Sequence, residues 1–266
     1  MAHKATSSTI EEMARKIFGE RAESYTVSAP HTDKEVLGRI VELARPRSNW
    51  IALDIATGAG HAAFAIAPHV ASVIATDLTP EMLEQAERLK SERGIGNTEF
   101  READVHALPF DDNEFDLVIC RLAAHHFSDI RLALKEMRRV LKPGGRLVIN
   151  DRSVPEDDFV DQCMNELDWY HDESHVRQYR PSEWRTMMTD TGFAVESAEL
   201  YIKHRPLTSL TAGVGEENVR KLHARLEGLN EEQKQALNLT EVDGEPHINH
   251  WYVLISAENP EASEHP

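Results

Sequence analysis

A short apolar run that ends in a glycine turn constrains this 266-residue chain more than any other feature. Residues 50–56 are mostly apolar and of strand length, and Gly58 and Gly60 follow at once. Such a run predicts a strand that is buried on both faces of a parallel sheet. Open α/β sheets bind ligands at the carboxyl ends of their strands, because backbone amides and helix N-termini converge there. Asp54-x-x-x-Gly58-x-Gly60 therefore predicts a ligand site.

Strands and helices alternate after this run. Strand-like segments lie at residues 50–56, 72–76, 98–101, 115–120 and 146–150, and helical periodicity is found at 61–69, 80–93 and 130–141. This alternation predicts a doubly wound, Rossmann-like α/β sheet. Two later segments, 193–202 and 250–256, would complete a seven-stranded and mostly parallel sheet.

The charge balance limits the partners of the chain. It has 46 acidic and 29 basic residues, a net charge of −17, so its field repels phosphate backbones and anionic membrane surfaces. We therefore expect no nucleic-acid partner. No apolar run approaches the roughly 20 residues that cross a bilayer, and the first residues lack a signal-like apolar segment, so we expect no membrane partner and a cytoplasmic location. Cys120 and Cys163 fit neither a disulfide framework nor a metal-binding spacing.

Two carboxylates follow the next strands. Asp77 ends the second strand, where its oxygens can accept from both hydroxyls of a ribose. Asp104 follows the third strand and could accept a hydrogen bond from the exocyclic amine of adenine, while the amide of Val105 donates one to a ring nitrogen. Together they indicate an adenosine site. The spacing Gly58-x-Gly60-x-x-Ala63 alone also fits a loose dinucleotide fingerprint or simple turn glycines.

Five segments resemble the class I S-adenosylmethionine-dependent methyltransferases, in particular the type 11 group that includes the ubiquinone and menaquinone C-methyltransferases. The resemblance covers about residues 15–200, and an uncharacterised bacterial branch is the most similar. It is carried by Leu53-Asp-Ile-Ala-Thr-Gly-Ala-Gly-His61, Ala75-Thr-Asp-Leu-Thr-Pro-Glu-Met82, Ala103-Asp-Val-His-Ala-Leu-Pro-Phe110, Phe115-Asp-Leu-Val-Ile-Cys-Arg-Leu-Ala-Ala-His-His-Phe127 and Val140-Leu-Lys-Pro-Gly-Gly145.

The resemblance implies S-adenosylmethionine as cofactor and assigns roles to residues. The backbone of Gly58 and Gly60 would lie against the methionine part, and Asp54 would orient its ammonium group. Asp77 would hold the ribose. Other implied cofactor contacts are Ala56, the adenine neighbours Leu78, Met82, Asp104 and Val105, the strand-end residues Arg121 and His126, and the closing segment with Phe18, Tyr25, Ser28 and His31.

We expect a single domain, because α/β units of about 250 residues often fold as one. Further helices are predicted at 9–25, 33–44, 157–171, 181–191, 217–229 and 231–239. The predicted parts are an N-terminal helical cap (1–46), the cofactor-binding core (47–151), acceptor-side segments with a helical insertion around 203–246 (152–249), and the last strand and tail (250–266).

His125 and His126 are the candidate catalytic bases, because they follow the fourth strand and imidazole titrates near neutral pH. The alternative is that both are structural. Arg121 could meet the cofactor carboxylate or an anionic acceptor, or form a surface salt bridge. An aromatic and basic cluster after the fifth strand suggests an aromatic or anionic acceptor: Trp169, Tyr170, His171, His175, Arg177, Tyr179 and Arg180.

We therefore predict methyl transfer to O, N, C or S of a small-molecule acceptor by a monomer or homodimer. No metal is expected, although His171 and His175 have an i, i+4 spacing. A polyprenylated quinone is disfavoured because no long apolar stripe is present. The alternatives are a nicotinamide-dependent oxidoreductase and a non-catalytic protein that binds S-adenosylmethionine.

Overall fold

The computed structural model describes residues 7–261, with side chains from residue 10 onward. Its strands form one sheet: β1 (Ile51–Ile55), β2 (Ser72–Asp77), β3 (Thr98–Glu102), β4 (Phe115–Arg121), β5 (Leu141–Ser153), β6 (Ala194–Pro206), β7 (Thr240–Val242) and β8 (Glu245–Glu258). Its helices are α1 (Ser7–Tyr25), α2 (Lys34–Ala44), α3 (His61–Ile66), α4 (Pro80–Arg93), α5 (Ile130–Val140), α6 (Asp158–His171), α7 (Pro181–Thr191), α8 (Thr208–Thr211), α9 (Glu216–Glu227) and α10 (Glu231–Ala236).

The strand order is β3-β2-β1-β4-β5-β8-β6, and β7 pairs with β8 beside this path. Strands β1 to β5 run parallel, whereas β8 is antiparallel to both β5 and β6. The chain order reverses at β1 and β4, so the carboxyl ends of these strands open a crevice of the kind that binds ligands in doubly wound sheets. The predicted Rossmann-like, mostly parallel sheet is confirmed.

Burial explains why the first strands read as apolar runs. Leu53 and Ile55 of β1 pack into one core layer, whereas Ala52 packs into the layer on the opposite face. Helix α5 buries five residues that recur at helical spacing against the first layer: Ile130, Ala133, Leu134, Met137 and Val140. Helices on both faces thus sandwich the sheet, as all-parallel strands require.

Two predicted boundaries were wrong. The fifth strand was predicted to begin at residue 146, but β5 already begins at Leu141, and residues 142–145 form a bulge in its pairing with β4 before Arg146. The helical insertion predicted around 203–246 contains α8, α9 and α10, but its bounds differ, because β6 continues to Pro206 and β7 and β8 form a hairpin after α10. Asp243 and Gly244 connect that hairpin with φ of 51° and 83°, the conformation that an Asp-Gly turn favours.

Helices α6, α8 and α9 share a separate apolar cluster beside the sheet, which includes Leu167, Leu210 and Leu222, and Leu237, which directly follows α10, joins it. Across residues 7–261, none of the helices has the combination of length and apolar character needed to span a bilayer.

Replacing Trp184 by alanine is expected to lower the free energy of unfolding by about 3–5 kcal/mol, because the cavity left by a large core side chain collapses only partly. Trp184 is fully buried and packs edge-on against Tyr179, with ring centroids 5.6 Å apart. Urea denaturation measures the effect. The control is Trp169→Ala, whose side chain is 43% exposed and whose loss should change stability by about 0.5 kcal/mol or less. Equal losses for the two variants would contradict the packing described here.

Candidate functional site

A sharp turn joins β1 to α3 and shapes the base of the site. Ala56, Gly58 and Gly60 all have positive φ, of 52°, 54° and 86°. A Cβ atom on Gly60 would stand 2.8 Å from Cζ of Phe64, so this position needs glycine for space as well as for its backbone. Gly58 has no atom within 4 Å of such a Cβ.

Gly60→Ala is therefore expected to destabilise the protein more than Gly58→Ala. Both variants place a side chain in the left-handed region, at a cost of about 1–2 kcal/mol. Only the Gly60 variant also forces the Phe64 ring to move. Thermal unfolding of the two variants side by side measures the difference, and a Gly58→Ala variant that is equally or less stable would contradict the close contact.

Asp54 lies at the end of β1 and is almost fully buried. Its Oδ2 accepts from Oγ1 of Thr57 at 2.6 Å and from the amide of Ala63 at 2.9 Å. Its Oδ1 is buried and has no hydrogen-bond partner among the described residues. Burial raises the pKa of this carboxyl to about 7, against the opposing effect of those two hydrogen bonds. A buried carboxylate oxygen without a hydrogen-bond partner is stabilised by a ligand that donates a hydrogen bond, most strongly by a cationic one.

Asp77 lies at the end of β2, beside the same turn. Its Oδ2 accepts from the amide of Gly58 at 2.8 Å and its Oδ1 from the amide of Thr79 at 2.9 Å. Burial raises the pKa of Asp77, while these amides lower it. The two amides fix the carboxylate in position, and each oxygen keeps a further lone pair for a ligand hydroxyl.

Asp104 and Val105 follow β3. Oδ1 of Asp104 accepts from both the amide and Nδ1 of His106, at 2.9 and 2.7 Å. The prediction did not include His106, although the spacing Asp104-x-His106 is typical of an Asx turn. The ring of His106 now stands beside the position expected for adenine.

These residues line one cavity, here called the first cavity. It runs across the ends of β1, β2, β3 and β4 and is covered by α1. Of the residues predicted to contact the cofactor, Gly60 and Ser28 lie outside its lining. Those within it are Phe18, Tyr25, His31, Asp54, Ala56, Gly58, Asp77, Leu78, Met82, Asp104, Val105, Arg121 and His126. Sequence reasoning missed the lining residues Glu11, His61 and His106.

Arg121, at the end of β4, is buried, so the predicted alternative of a surface salt bridge was wrong. Its guanidinium donates to the carbonyl oxygens of Pro30 and His31, at 2.5 and 3.0 Å. Arg121 thereby ties the loop after α1 to the sheet. The ring of His31 in this loop packs on Tyr25, with centroids 4.7 Å apart.

A second cavity adjoins the first and has a volume of about 660 Å³. The two share lining residues at their junction: Phe18, Tyr25, His31, Leu122 and His126. The rest of its lining is rich in polar residues and comes from α1 and the loop after it, from the segment after β4, and from α6, β5, β6, α8 and β8.

His126 stands at the junction, with its ring 4.9 Å from that of Phe18. Its Nδ1 lies 3.0 Å from Oγ of Ser174, and that hydroxyl donates to Oδ1 of Asp172 at 2.6 Å. Because the hydroxyl hydrogen is directed at the carboxylate, Nδ1 of His126 is the donor in this chain. Of the two neutral tautomers of His126, this arrangement selects the one that has its lone pair on Nε2.

His125 is held in the same tautomer by a different partner. Its Nδ1 lies 2.5 Å from Oδ1 of Asp151, and its amide donates to Oδ2 of that residue at 2.9 Å. Burial lowers the pKa of His125 well below its usual value. In neutral His125, Nδ1 therefore carries the hydrogen that faces Asp151, and the lone pair is on Nε2, on the far side of the ring from Asp151. Its ring lines the second cavity only, 4.1 Å from the ring of His126.

The predicted aromatic and basic cluster is split by the fold, and only His171 and His175 line the second cavity. Nδ1 of His171 donates to the carbonyl of Leu210, and Nε2 of His175 faces Oδ1 of Asn165. The others point elsewhere, so the structure brings only two of the seven residues to this cavity. Trp169 is exposed, Tyr170 bonds Glu166, Arg177 and Arg180 pair with Asp161, and Tyr179 packs on Trp184.

The comparisons with known proteins decide the family. The chain matches the family model described as a methyltransferase domain over residues 53–149, from the glycine-turn strand into β5. A relative, the uncharacterized methyltransferase YcgJ of Bacillus subtilis, is 40% identical over 182 residues, which cover 68% of this chain and 72% of the relative. The chain belongs to this methyltransferase family.

Solved structures agree. The crystal structure of YcgJ matches with a TM-score of 0.81 and 33% identity over 86% of this chain and 100% of that one. A putative methyltransferase of Bacillus halodurans matches with a TM-score of 0.81 and 32% identity, over 85% and 99% of the two chains. The demethylmenaquinone methyltransferase of Thermus thermophilus is 42% identical over 119 residues, or 44% of this chain and 54% of that one. The predicted class I methyltransferase is confirmed as the enzyme class, in preference to a nicotinamide-dependent oxidoreductase.

Proposed function

We propose that this methyltransferase uses S-adenosylmethionine, bound in the first cavity, to methylate a small molecule bound in the second. The observation that carries the proposal is the buried Oδ1 of Asp54, which has no hydrogen-bond partner within residues 7–261. It is a buried anionic acceptor beside the glycine turn, and a cationic ammonium group is the ligand that satisfies it best.

The remaining lining of the first cavity suits the other parts of this cofactor. The amide-anchored carboxylate of Asp77 can accept from ribose hydroxyls, and Leu78 and Met82 offer apolar surface for the adenine ring. Asp104, Val105 and His106 lie on the side expected for the polar edge of that ring. Phe18 and Tyr25 of α1 cover the cavity and exclude water.

The junction of the two cavities is where we place the reaction. The bound sulfonium supplies an activated methyl group. An electron pair of the acceptor O, N, C or S would bond to the methyl carbon as the carbon–sulfur bond to the departing thioether breaks, and Nε2 of His126 would take the acceptor's proton where one must leave. His125, one residue earlier, is the second candidate base.

The size and polarity of the second cavity support a small, polar acceptor. A volume of about 660 Å³ falls within the usual range of small-molecule sites, roughly 300–1,000 Å³. The lining contains six histidines, three arginines and two aspartates, which match a polar acceptor better than a polyprenyl chain.

Calorimetric titration with S-adenosylmethionine and S-adenosylhomocysteine tests the cofactor. We expect saturable one-site binding of both and no binding of NADH. Absence of binding by either sulfur compound would remove the proposal. A screen with labelled methyl donor over phenols, amines, thiols and quinols then tests turnover, and inactivity with every class despite tight binding would favour a non-catalytic binding protein.

A further inference from the structure

The second cavity carries positive charge that the protein does not neutralise. Arg205, near the end of β6, lines this cavity, and no ion pair joins it to a carboxylate within residues 7–261. Its Nε is buried and has no hydrogen-bond partner there. Its guanidinium lies 5.9 Å from the ring centroid of Tyr252, which supports it from below.

The neighbouring arginine shows what a compensated guanidinium looks like in the same cavity. Arg152 of β5 donates to Oδ1 of Asp168 at 2.7 Å and to Nδ1 of His250 at 3.0 Å. The other oxygen of Asp168 accepts from Gln178. Asp168 therefore forms its ion pair with Arg152, and within residues 7–261 it forms none with Arg205.

The remaining carboxylate of the cavity is also engaged. Asp172 accepts from the amide and the hydroxyl of Ser174, at 2.9 and 2.6 Å, in the chain that leads to His126. Arg21, the third arginine of the lining, donates only to the carbonyl of Gly213, at 3.3 Å. A cavity with this excess of arginine is unexpected in a chain with a net charge of −17, and it favours an anionic ligand.

The two kinds of polar group in the cavity come from different strands. The bare imidazole nitrogens of His125 and His126 follow β4, whereas Arg205 is on β6 and its support Tyr252 is on β8. A lone pair on an imidazole nitrogen accepts a proton donor, whereas a guanidinium attracts an anion. The cavity thus matches a molecule that bears a protic group at one position and an anionic group at another.

Resting on the function proposed above, we propose that the methyl acceptor carries a carboxylate or phosphate group that binds to Arg205 in the second cavity. The planar guanidinium suits two parallel hydrogen bonds to either group. The acceptor's protic atom would then face His126 and the first cavity.

The test measures binding of simple aromatic anions to the protein saturated with S-adenosylhomocysteine. Calorimetry compares benzoate and phenyl phosphate with neutral benzamide, which has the same ring. We expect one or both anions to bind at least tenfold more tightly than benzamide, and Arg205→Gln to remove that preference. The matched control is Lys203→Gln. It also removes a positive charge from β6, but that charge is already paired with Asp33 and Glu35.

The outcomes separate the two proposals. Failure of the unsubstituted protein to bind S-adenosylhomocysteine would overturn the proposed function itself. Normal cofactor binding with equal affinity for benzoate, phenyl phosphate and benzamide, or with no binding of either anion, would overturn the anionic acceptor alone. An anion preference that survives in Arg205→Gln, or that is lost equally in Lys203→Gln, would overturn the role of Arg205. Cofactor affinity in each variant shows that the variant is folded.

Discussion

Asp54→Asn is expected to weaken S-adenosylhomocysteine binding by about 10- to 150-fold, the equivalent of roughly 1.5–3 kcal/mol for a hydrogen bond to a charged group. The amide keeps an oxygen that can accept from Thr57 and Ala63, as Oδ2 of Asp54 does. It loses the negative charge that would face the ammonium group at Oδ1. Calorimetry on the variant measures the loss, and an unchanged affinity would show that Asp54 does not bind the cofactor.

The pH dependence gives this prediction a second, independent signature. Burial raises the pKa of Asp54 to about 7, so the free protein holds a proton there at lower pH. Binding an ammonium group requires the ionised form, and affinity should therefore fall as pH drops below about 7, by up to about tenfold per pH unit. Asp54→Asn should remove this dependence, which distinguishes it from the titration of Asp151, whose pKa burial also raises to about 7.

The same raised pKa has the opposite consequence for the free protein. Between the unfolded value of 3.8 and the folded value of about 7, the folded state binds the extra proton. The contribution of Asp54 to stability therefore declines as pH rises through this window. A site whose charge is unfavourable without ligand and favourable with it is typical of ligand binding rather than of structural ion pairing.

The cofactor side of the site could be predicted because its signals are local in sequence. Asp54 and Asp77 each end an apolar strand, and parallel strands bring their carboxyl ends to one edge whatever the loops do. The lining residues Glu11 and His61 were missed for the opposite reason. They lie on helices whose sequence pattern gives the buried face but not the partner across it.

The acceptor side could be predicted much less well, because its contacts join distant parts of the chain. Ser174 meets His126 across 48 residues, and Arg152 meets His250 across 98. The density of aromatic and basic residues at 169–180 predicted a binding cluster there. Side chains that are adjacent in sequence point to different sides of a helix or turn, and this separated Trp169 and Arg177 from the cavity that His171 and His175 line.

The missed hairpin has a similar cause. Asp243-Gly244 is a strong local turn signal, but the charged residues before it favour helix, and β7 is only three residues long. It pairs with the first residues of β8, which begins at Glu245, before the predicted strand start at residue 250. Strand β8 matters for the site, because His250 and Tyr252, which lie within its predicted part, line the second cavity.

His126→Gln is expected to lower kcat for a protic acceptor by about 10²- to 10⁴-fold, the usual contribution of a positioned general base. Glutamine retains a polar side chain at the junction of the cavities, so affinity for S-adenosylhomocysteine should stay within a few-fold. Turnover with labelled methyl donor measures kcat. The control is His171→Gln, which alters the second cavity but not its junction with the first. Equal losses in both variants would assign His126 to packing alone.

Ser174 tests whether the orientation of His126 matters as well as its presence. Oγ of Ser174 accepts a hydrogen bond from Nδ1 of His126 and donates one to Asp172. Ser174→Ala removes this link and leaves the ring free to adopt either tautomer, only one of which has its lone pair on Nε2. We therefore expect a smaller loss of kcat than in His126→Gln, together with a shift of the acidic limb of the pH–rate profile. A purely structural role would lower stability without moving that limb. The proton-accepting atom would then belong to another residue, and His125 with its partner Asp151 would be the next pair to test.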